Sequence, residues 1–566
     1  MKYIAITIGP IVDTLLKAKK VKELWASSYL FSFMMKGIVN KINQERDIVG
    51  EVLLPVTDGQ PAKNGAGLYP DRIYIKAESN DSLERVHQII DEQIKKISIE
   101  VSEQIKKKRE KEFSEKTGND LDEVFKTGKD GENIKINADS LKVDALKDFF
   151  KIYAFMVEIQ ERGNIIEELS AYCDTIELQN RIDNDQAYNV ILKELLNICE
   201  SPILVNDAVD NKAELEIESL IDISTKNFKL IDESKYHNIV TDEDRFPKLK
   251  NIDDEKFVID RLKQQFPGKF KARHKYFAMV HADGDNIGKI IKLIGGKPDE
   301  IKAFSRSLYS FAKEATNIIK SQGGVPIYMG GDDMLFLAPI ICGKKDETQE
   351  KQYITTSIFH LIKDLDQCFD EILIKEYIDK RNFPENEKPS PSMSYGIAIS
   401  HHKYPLYEVR NSSYEQLQYV KTKCKDKNAV QVFLQKHSGA KIDFLLSKNN
   451  VSNESSIFSA FNRFIDSCTG SKGIADDNGE LFLNSFTHKL ETLVPFLEEA
   501  VKNRERLRAF FEYNFNENFE SYSKFYSALE EYILEVYKNT EDKDQRRKTI
   551  EGALRFLHFI YSEDKE

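Results

Sequence analysis

The six cysteines, Cys173, Cys199, Cys342, Cys368, Cys424 and Cys468, include no C-x-x-C pair. That scatter argues against a zinc ribbon and against a disulfide framework, and a reducing, cytoplasmic setting is expected. Long apolar runs are missing as well. The run Ile4 to Ile8 before Gly9-Pro10 is too short for the apolar part of a signal peptide, and nowhere do about 18 apolar residues follow one another. Neither secretion nor membrane association is expected. Basic excess is the third absence: 82 Lys plus Arg stand against 94 Asp plus Glu, a net charge of −12. This excludes a uniformly basic coat for nucleic acid. A local basic groove remains open, because a phosphate backbone responds to the local field.

What is present is ordinary globular material, 566 residues of which 41% are apolar and 31% charged, enough for three or four units. Lys2 to Ile8 alternates as a strand does, and apolar residues at helical spacing follow from Ile11 through Met35. A second strand is expected at Arg72 to Ala77 and a long helix from Ser82 to Glu115. The basic cluster Lys106 to Arg109 in that helix is surrounded by glutamates and reads as a solvated face. Residues 116–140 read as a loop, 145–200 as helical, and 205–270 as a connecting stretch rich in Asp, Lys and Asn. From 274 strands and helices alternate: strand Tyr276 to Ala282, helix Asp299 to Ser321, strands Val325 to Met329 and Met334 to Ala338, helix Thr355 to Tyr377, strand Met393 to Ser400. After about 445 helical spacing takes over, and the aromatic stripe from Phe510 to Tyr526 reads as bundle core. The fold class is α/β (α+β), divided as 1–205, a connecting region 206–272, 273–440, and a helical bundle 441–566.

Two segments can carry chemistry. In Val280-His281-Ala282-Asp283-Gly284-Asp285-Asn286 a buried strand ends in an acidic turn before a helix. Gly284 there allows close approach of a ligand, and the amides that open the helix behind Asn286 suit an anion. In Met329-Gly330-Gly331-Asp332-Asp333-Met334 two apolar strands flank a tight hairpin with two carboxylates at its tip. Either turn alone can be merely a turn. Together, 332 − 283 = 49 residues apart with one long helix between them, they can be set side by side. Asp283, Asp332 and Asp333 could then bind two Mg²⁺ (or Mn²⁺) ions about 4 Å apart. Such a pair activates an attacking hydroxyl and steadies a departing pyrophosphate, the logic of polymerases and nucleotide cyclases.

With these residues in view the chain resembles the large, polymerase-like subunit of type III CRISPR effector complexes, of the Cmr type (III-B). Further matches are Ile8-Gly9-Pro10, Leu24-Trp25-Ala26-Ser27-Ser28-Tyr29, Ser394 through Leu406, Lys421 through Val430, and Ser438-Gly439. The resemblance covers roughly 1–80 and 275–440. It implies two ferredoxin-like palm domains of the cyclase type, the first with helical insertions and no acidic turn, and a C-terminal bundle against neighbouring subunits. It also implies other Cmr-type subunits, guide crRNA and target RNA as partners. The implied activity joins ATP into cyclic oligoadenylate once target RNA binds. By position, Asp283, Asp332 and Asp333 would ligate metal and carry catalysis. Gly284, Asn286, Gly330, Gly331, Lys421, Lys427, Ser438 and Gly439 would lie around a nucleotide, while His401 and His402 read as structural.

The chain departs from its relatives in two ways. None of the ten histidines precedes an Asp, so the HD nuclease found in many relatives is not expected. Relatives that cyclise ATP usually show Pro-Asn-Arg where this chain has Pro70-Asp71-Arg72. A carboxylate there repels a triphosphate and attracts a cation by about 1 to 4 kcal/mol at surface-like dielectric. The resemblance supplies a cationic acceptor of AMP, S-adenosylmethionine, which some nuclease-lacking members of the family are thought to use and which Asp71 and Arg72 would suit, giving SAM-AMP; alternatively Asp71 pairs with Arg72 or caps a turn. A catalytically silent, nucleotide-binding scaffold is the competing function.

Overall fold

The computed structural model describes residues 1–57, 63–117, 149–160, 163–178, 204, 207–209, 219–240, 253–345, 353–449 without 382 and 385, 455–469, 486, 489–490, 492–493, 496–519 and 522–562. Two sheets organise it.

The first is antiparallel, in the order β2-β3-β1-β4, from β1 (Lys2–Thr7), β2 (Gly50–Leu54), β3 (Arg72–Ala77) and β4 (Tyr153–Glu158). Alternation along β1 sends Ile4 and Ile6 to one core and Tyr3 and Ala5 to the other. The first core is shared with helix Val21–Gln44, the second with helix Ile165–Glu177. β4 corrects the helical reading of 145–200. Its six residues run Tyr-Ala-Phe-Met-Val-Glu, with no alternation to separate a strand from a helix turn, and it is pairing along β1 that makes it a strand.

The second sheet has the order β12-β11-β10-β5-β7-β6. Its strands are β5 (Tyr276–Asp285), β6 (Val325–Gly330), β7 (Asp333–Pro339), β10 (Ser392–His401), β11 (Ala429–Gln435) and β12 (Lys441–Ser447). Only β10 and β11 run parallel, joined by helix Leu406–Lys423. A side ribbon pairs β8 (Ile341–Lys345) with β9 (Tyr353–Ser357), so the helix expected from Thr355 begins only at Ile358.

The faces of β5 decide what lies where. Ala278, Val280 and Ala282 enter the core with helix Pro298–Ser321 and the C-terminal helices. Phe277 and Met279 face the other way, into the core that holds Trp25 and Met34 of helix Val21–Gln44. This shared core binds the two sheets into one body. Loop contacts add to it: Met329 N donates to Gly67 O at 3.2 Å and Val56 N to Ser305 Oγ at 2.8 Å. The loop that precedes β3 is thereby carried to the β6–β7 hairpin.

The stretch 206–272 is more than a connector in its described part. Helices Leu220–Thr225, Glu233–Val240 and Asp253–Gln265 close their own small core, with Phe228, Val258 and Leu262 fully buried. Charged exposed faces hid that core in the sequence. The C-terminal helices Ile457–Thr469, Ser523–Asn539 and Lys543–Tyr561 pack together and against β12, where a Cβ on Gly552 would come within 2.8 Å of Asp443 O. Phe511, Phe525 and Tyr526 are buried as core, whereas Tyr513 is exposed. The expected loop 116–140 lies almost wholly outside the described residues.

Candidate active site

Asp283-Gly284-Asp285 is the last part of β5 itself and not a turn, since all three residues pair with β10, Asp283 opposite Ser394 and Asp285 opposite Ser392. The turn comes one residue later, at Asn286, whose φ of 60° starts helix Ile287–Ile294. Extended geometry puts Asp283 and Asp285 on one face. On the other flank β7 pairs with β5 only as far as Met334 opposite Ala282, so the hairpin tip overhangs Gly284. A Cβ on Gly284 would sit 2.6 Å from Asp332 Oδ2, which is why the position takes glycine. Gly331, with φ of 90°, makes the turn.

The tip crowds negative charge. Asp332 is pushed up to about 6 by the dense protein around it and then by Asp283, with Lys421 pulling the other way. Asp333 rises as well, through its packed surroundings and then Asp283, Asp332 and Asp71. Its side chain is open to solvent at the tip, so the repulsion among these carboxylates is the cause that survives screening. Tyr328, which sequence reading passed over, lies beneath them: a Cβ on Gly330 would meet its Oη at 2.0 Å, and burial with Asp71, Asp333 and Asp332 drives its ionisation far upward. It remains a phenol that can donate.

Lys421 spans the end of β5. Its Nζ lies 2.7 Å from Asp283 Oδ2 and 2.7 Å from Asp285 Oδ1, and donates to the carbonyls of Asp283 and Gly284 at 2.9 Å. Asp285 has no exposed side chain. Its Oδ2 accepts from Ser394 Oγ at 2.6 Å, Ser392 Oγ at 2.9 Å and Asn428 N at 3.0 Å. This hub was also passed over, although its two-residue offset from Asp283 on a strand already placed both on one face. Among the described residues no three carboxylates, imidazoles or thiols converge closely enough to hold a metal ion as they stand. The donor set is nonetheless of the right kind: hard, mutually repelling oxygens on Asp283, Asp332 and Asp333, with the ammonium of Lys421 already neutralising one of them.

Across from the tip, Asp71 ends the loop before β3, and burial raises it against the pull of Arg72. Arg72 is not its salt-bridge partner. The guanidinium binds Asp174 at 2.7 Å and Glu177 at 2.9 Å, so Arg72 fastens β3 to helix Ile165–Glu177 and does not face an acceptor.

Two further expectations are displaced. Ser438 and Gly439 form the β11–β12 turn, and His437 N there donates to Tyr276 Oη at 2.9 Å. That is the opposite end of β5 from Asp283, roughly 23 Å away at strand rise, because β11 runs parallel to β10 and leaves the acidic end. Asn286 and Lys427 line a cleft of about 600 Å³ with Lys289, Asp366 and Lys448; the three tip carboxylates do not line it. His401 and His402 are buried, His401 held down at about 3 by burial and then by His402, as befits structural residues.

A mixed sheet whose central strand and neighbouring hairpin bring acidic residues together is the architecture of a palm domain. Residues 276–431 match the family model described as Cas10/Cmr2, second palm domain, and residues 3–117 match that of CRISPR-associated protein Cmr2, N-terminal. The chain thus carries domains of the Cas10/Cmr2 type in both of these regions. The CRISPR system Cmr subunit Cmr2 of Pyrococcus furiosus is 25% identical over 245 residues, 38% of this chain and 25% of that protein. The aligned part thus spans about a quarter of that relative's length. Among solved structures, a type III-B Cmr-beta chain in the apo state aligns with a TM-score of 0.51 and 12% identity over 86% of this chain and 75% of that one. One from Cmr-beta bound to cognate target RNA gives 0.47 and 11%, over 79% and 71%. No helix among the described residues is long and apolar enough to cross a membrane.

Proposed function

We propose that this chain is a nucleotidyltransferase subunit of an RNA-guided Cmr-type complex, transferring AMP from ATP to a ribose 3′-hydroxyl. The observation that carries the reading is the Asp332–Asp333 tip hung over Gly284 of β5, with Asp283 and, from the other sheet, Asp71 acting on it. Four carboxylates that repel one another oppose folding unless cations meet them. Other Cmr-type subunits, crRNA and target RNA are its partners in this reading, as the domain matches suggest.

The acceptor oxygen forms a bond to the α-phosphorus of ATP, the bond from that phosphorus to the pyrophosphate oxygen breaks, and the hydroxyl proton passes to water. Asp283, Asp332 and Asp333 would hold magnesium, which when bound would supply charge neutralisation at the reacting phosphate. Asp283 must release Lys421 to serve, and Lys421, still held by Asp285, presents its ammonium to the departing pyrophosphate. Gly284 and Gly331 let the backbone approach, and Tyr328 donates at the base of the tip. Among the described residues Asp71 has no salt bridge, and it favours a cationic acceptor, S-adenosylmethionine, over a second ATP. The occupation of Asp283 by Lys421 favours one competitor, a silent scaffold.

Purified complex with target RNA and labelled ATP, with and without S-adenosylmethionine, separates these readings. A small labelled product is expected, lost in Asp332→Ala/Asp333→Ala. No product under either condition leaves the scaffold. An Asp71→Asn complex that makes the same product in the same amount removes the argument for a cationic acceptor.

A further inference from the structure

Three cations stand near the tip, and two of them are engaged: Lys421 by Asp283 and Asp285, Arg72 by Asp174 and Glu177. Arg410 is different. It belongs to the inward stripe Leu406, Val409, Arg410, Ser413, Leu417 of helix Leu406–Lys423 and is only 8% exposed. No hydrogen bond or ion pair engages its guanidinium among the described residues, and its Nε is enclosed without an acceptor. Arginine keeps its charge at neutral pH, and a buried charge without a partner is costly. The site is therefore built for an anion that arrives.

Its place in the fold says which anion. Ser413, one turn along the same stripe, meets His281 Nδ1 of β5 at 2.7 Å, which sets Arg410 against the face of β5 that carries Asp283. Burial draws Arg410 down while Tyr414 and Asp333 hold it up, so the acidic tip lies within its field. Lys421 acts on Asp333 too, and it stands eleven residues further along the helix, about 16 Å at helical rise. Both cations thus act on the tip, one engaged and one unengaged. In-line displacement needs acceptor and leaving group held apart, on opposite sides of the reacting phosphorus. With Lys421 serving the pyrophosphate, the unengaged Arg410 is left for the acceptor.

We infer that Arg410 is an acceptor-binding residue that grips an oxyanion of the acceptor, the carboxylate of S-adenosylmethionine or the triphosphate of an acceptor ATP. This rests on the transferase reading above. The assembled complex with target RNA and labelled donor ATP tests it in two arms, one offering S-adenosylmethionine or its decarboxylated form, the other an acceptor ATP or adenosine. In the arm that wild type uses, it should prefer the anionic acceptor by about tenfold or more, as a charge-assisted contact gives. Arg410→Met should abolish that preference while melting no lower than wild type, and Arg410→Lys should restore part of it. A preference left intact in Arg410→Met overturns the inference, as does Arg410→Lys behaving like Arg410→Met. A wild-type complex that makes no product in either arm removes the transferase reading instead. Arg410 is then judged by calorimetric titration with S-adenosylmethionine and with ATP, where equal binding by wild type and Arg410→Met overturns it.

Discussion

β5 has two ends, and they are alike in everything but charge. At Asp285 a glycine turn, Gly331 with φ of 90°, hangs carboxylates over the strand; at Tyr276 another, Gly439 with φ of 86°, sets the His437 ring 4.8 Å from that of His401, which lies 4.2 Å from the ring of His402. At the histidine end repulsion is relieved by keeping His401 neutral, and Lys403 N donates to its Nδ1 at 3.2 Å, while His402 N donates to Lys275 O at 2.9 Å. At the acidic end like charges push each other upward, answered by one lysine. A glycine turn on this sheet is architecture; repulsion left standing after folding marks the site.

The widest gap between the two ends should appear in turnover. Asp332→Ala/Asp333→Ala in the complex should lower product formation by about a thousandfold or more, the scale of lost electrostatic and metal stabilisation. His401→Ala should leave product per folded complex near wild type. Product assays on both, normalised to folded protein, decide it; equal losses would erase the distinction.

Next in size is Lys421→Met. It strands the Asp285 carboxylate, wholly unexposed, with only Ser392, Ser394 and the Asn428 amide to meet it. Breaking a buried pair from one side costs about 3 kcal/mol or more. Denaturant unfolding should show that loss, and Asp285→Asn added to Lys421→Met should recover part of it. A Lys421→Met chain as stable as wild type would make Lys421 a surface residue after all.

The hairpin was legible in the sequence because Val325 to Met329 and Met334 to Ala338 are apolar runs that only a tight glycine turn can join, and β3 because Arg72 to Ala77 alternates. Asp283-Gly284-Asp285 was legible as chemistry and misleading as geometry: turn-type residues stayed in the strand because β10 offers them a full ladder. Ser438-Gly439 was read toward the acidic end because motif order says nothing of which end of a strand a turn occupies; the parallel β10–β11 pairing, a tertiary fact, places that turn at the other end. Arg410 looks in the sequence like any solvated helix arginine. Only the packing of helix Leu406–Lys423 on β5 shows it enclosed.

The ends should also answer pH with opposite signs. Asp332 is raised in the folded state, so its contribution to stability is full below the ordinary carboxylate range and is lost as pH rises to about 6. His401 is held down at about 3, so its contribution is full above pH 6.5 and is lost as pH falls. In EDTA, melting temperatures of wild type minus Asp332→Asn should decline between about pH 4 and 6, while wild type minus His401→Gln should climb between about pH 3 and 6.5. Slopes of one sign for both would mean that the acidic end is no more strained than its counterpart.

The smallest effect sharpens the correction to the sequence reading. Gly439 turns with a positive φ in open space, nothing lying within 4 Å of a Cβ placed there. Its substitution by alanine costs backbone strain and no packing, about 1 kcal/mol. Gly439→Ala should therefore shift the unfolding midpoint slightly and leave the acceptor and ATP dependence of product formation unchanged. The same substitution at Gly284 meets Asp332 Oδ2 and should abolish turnover. A Gly439→Ala complex with a raised Michaelis constant for ATP would return the β11–β12 turn to the nucleotide site, and its distance from Asp283 would then have to be closed by a second copy of the chain or a neighbouring subunit.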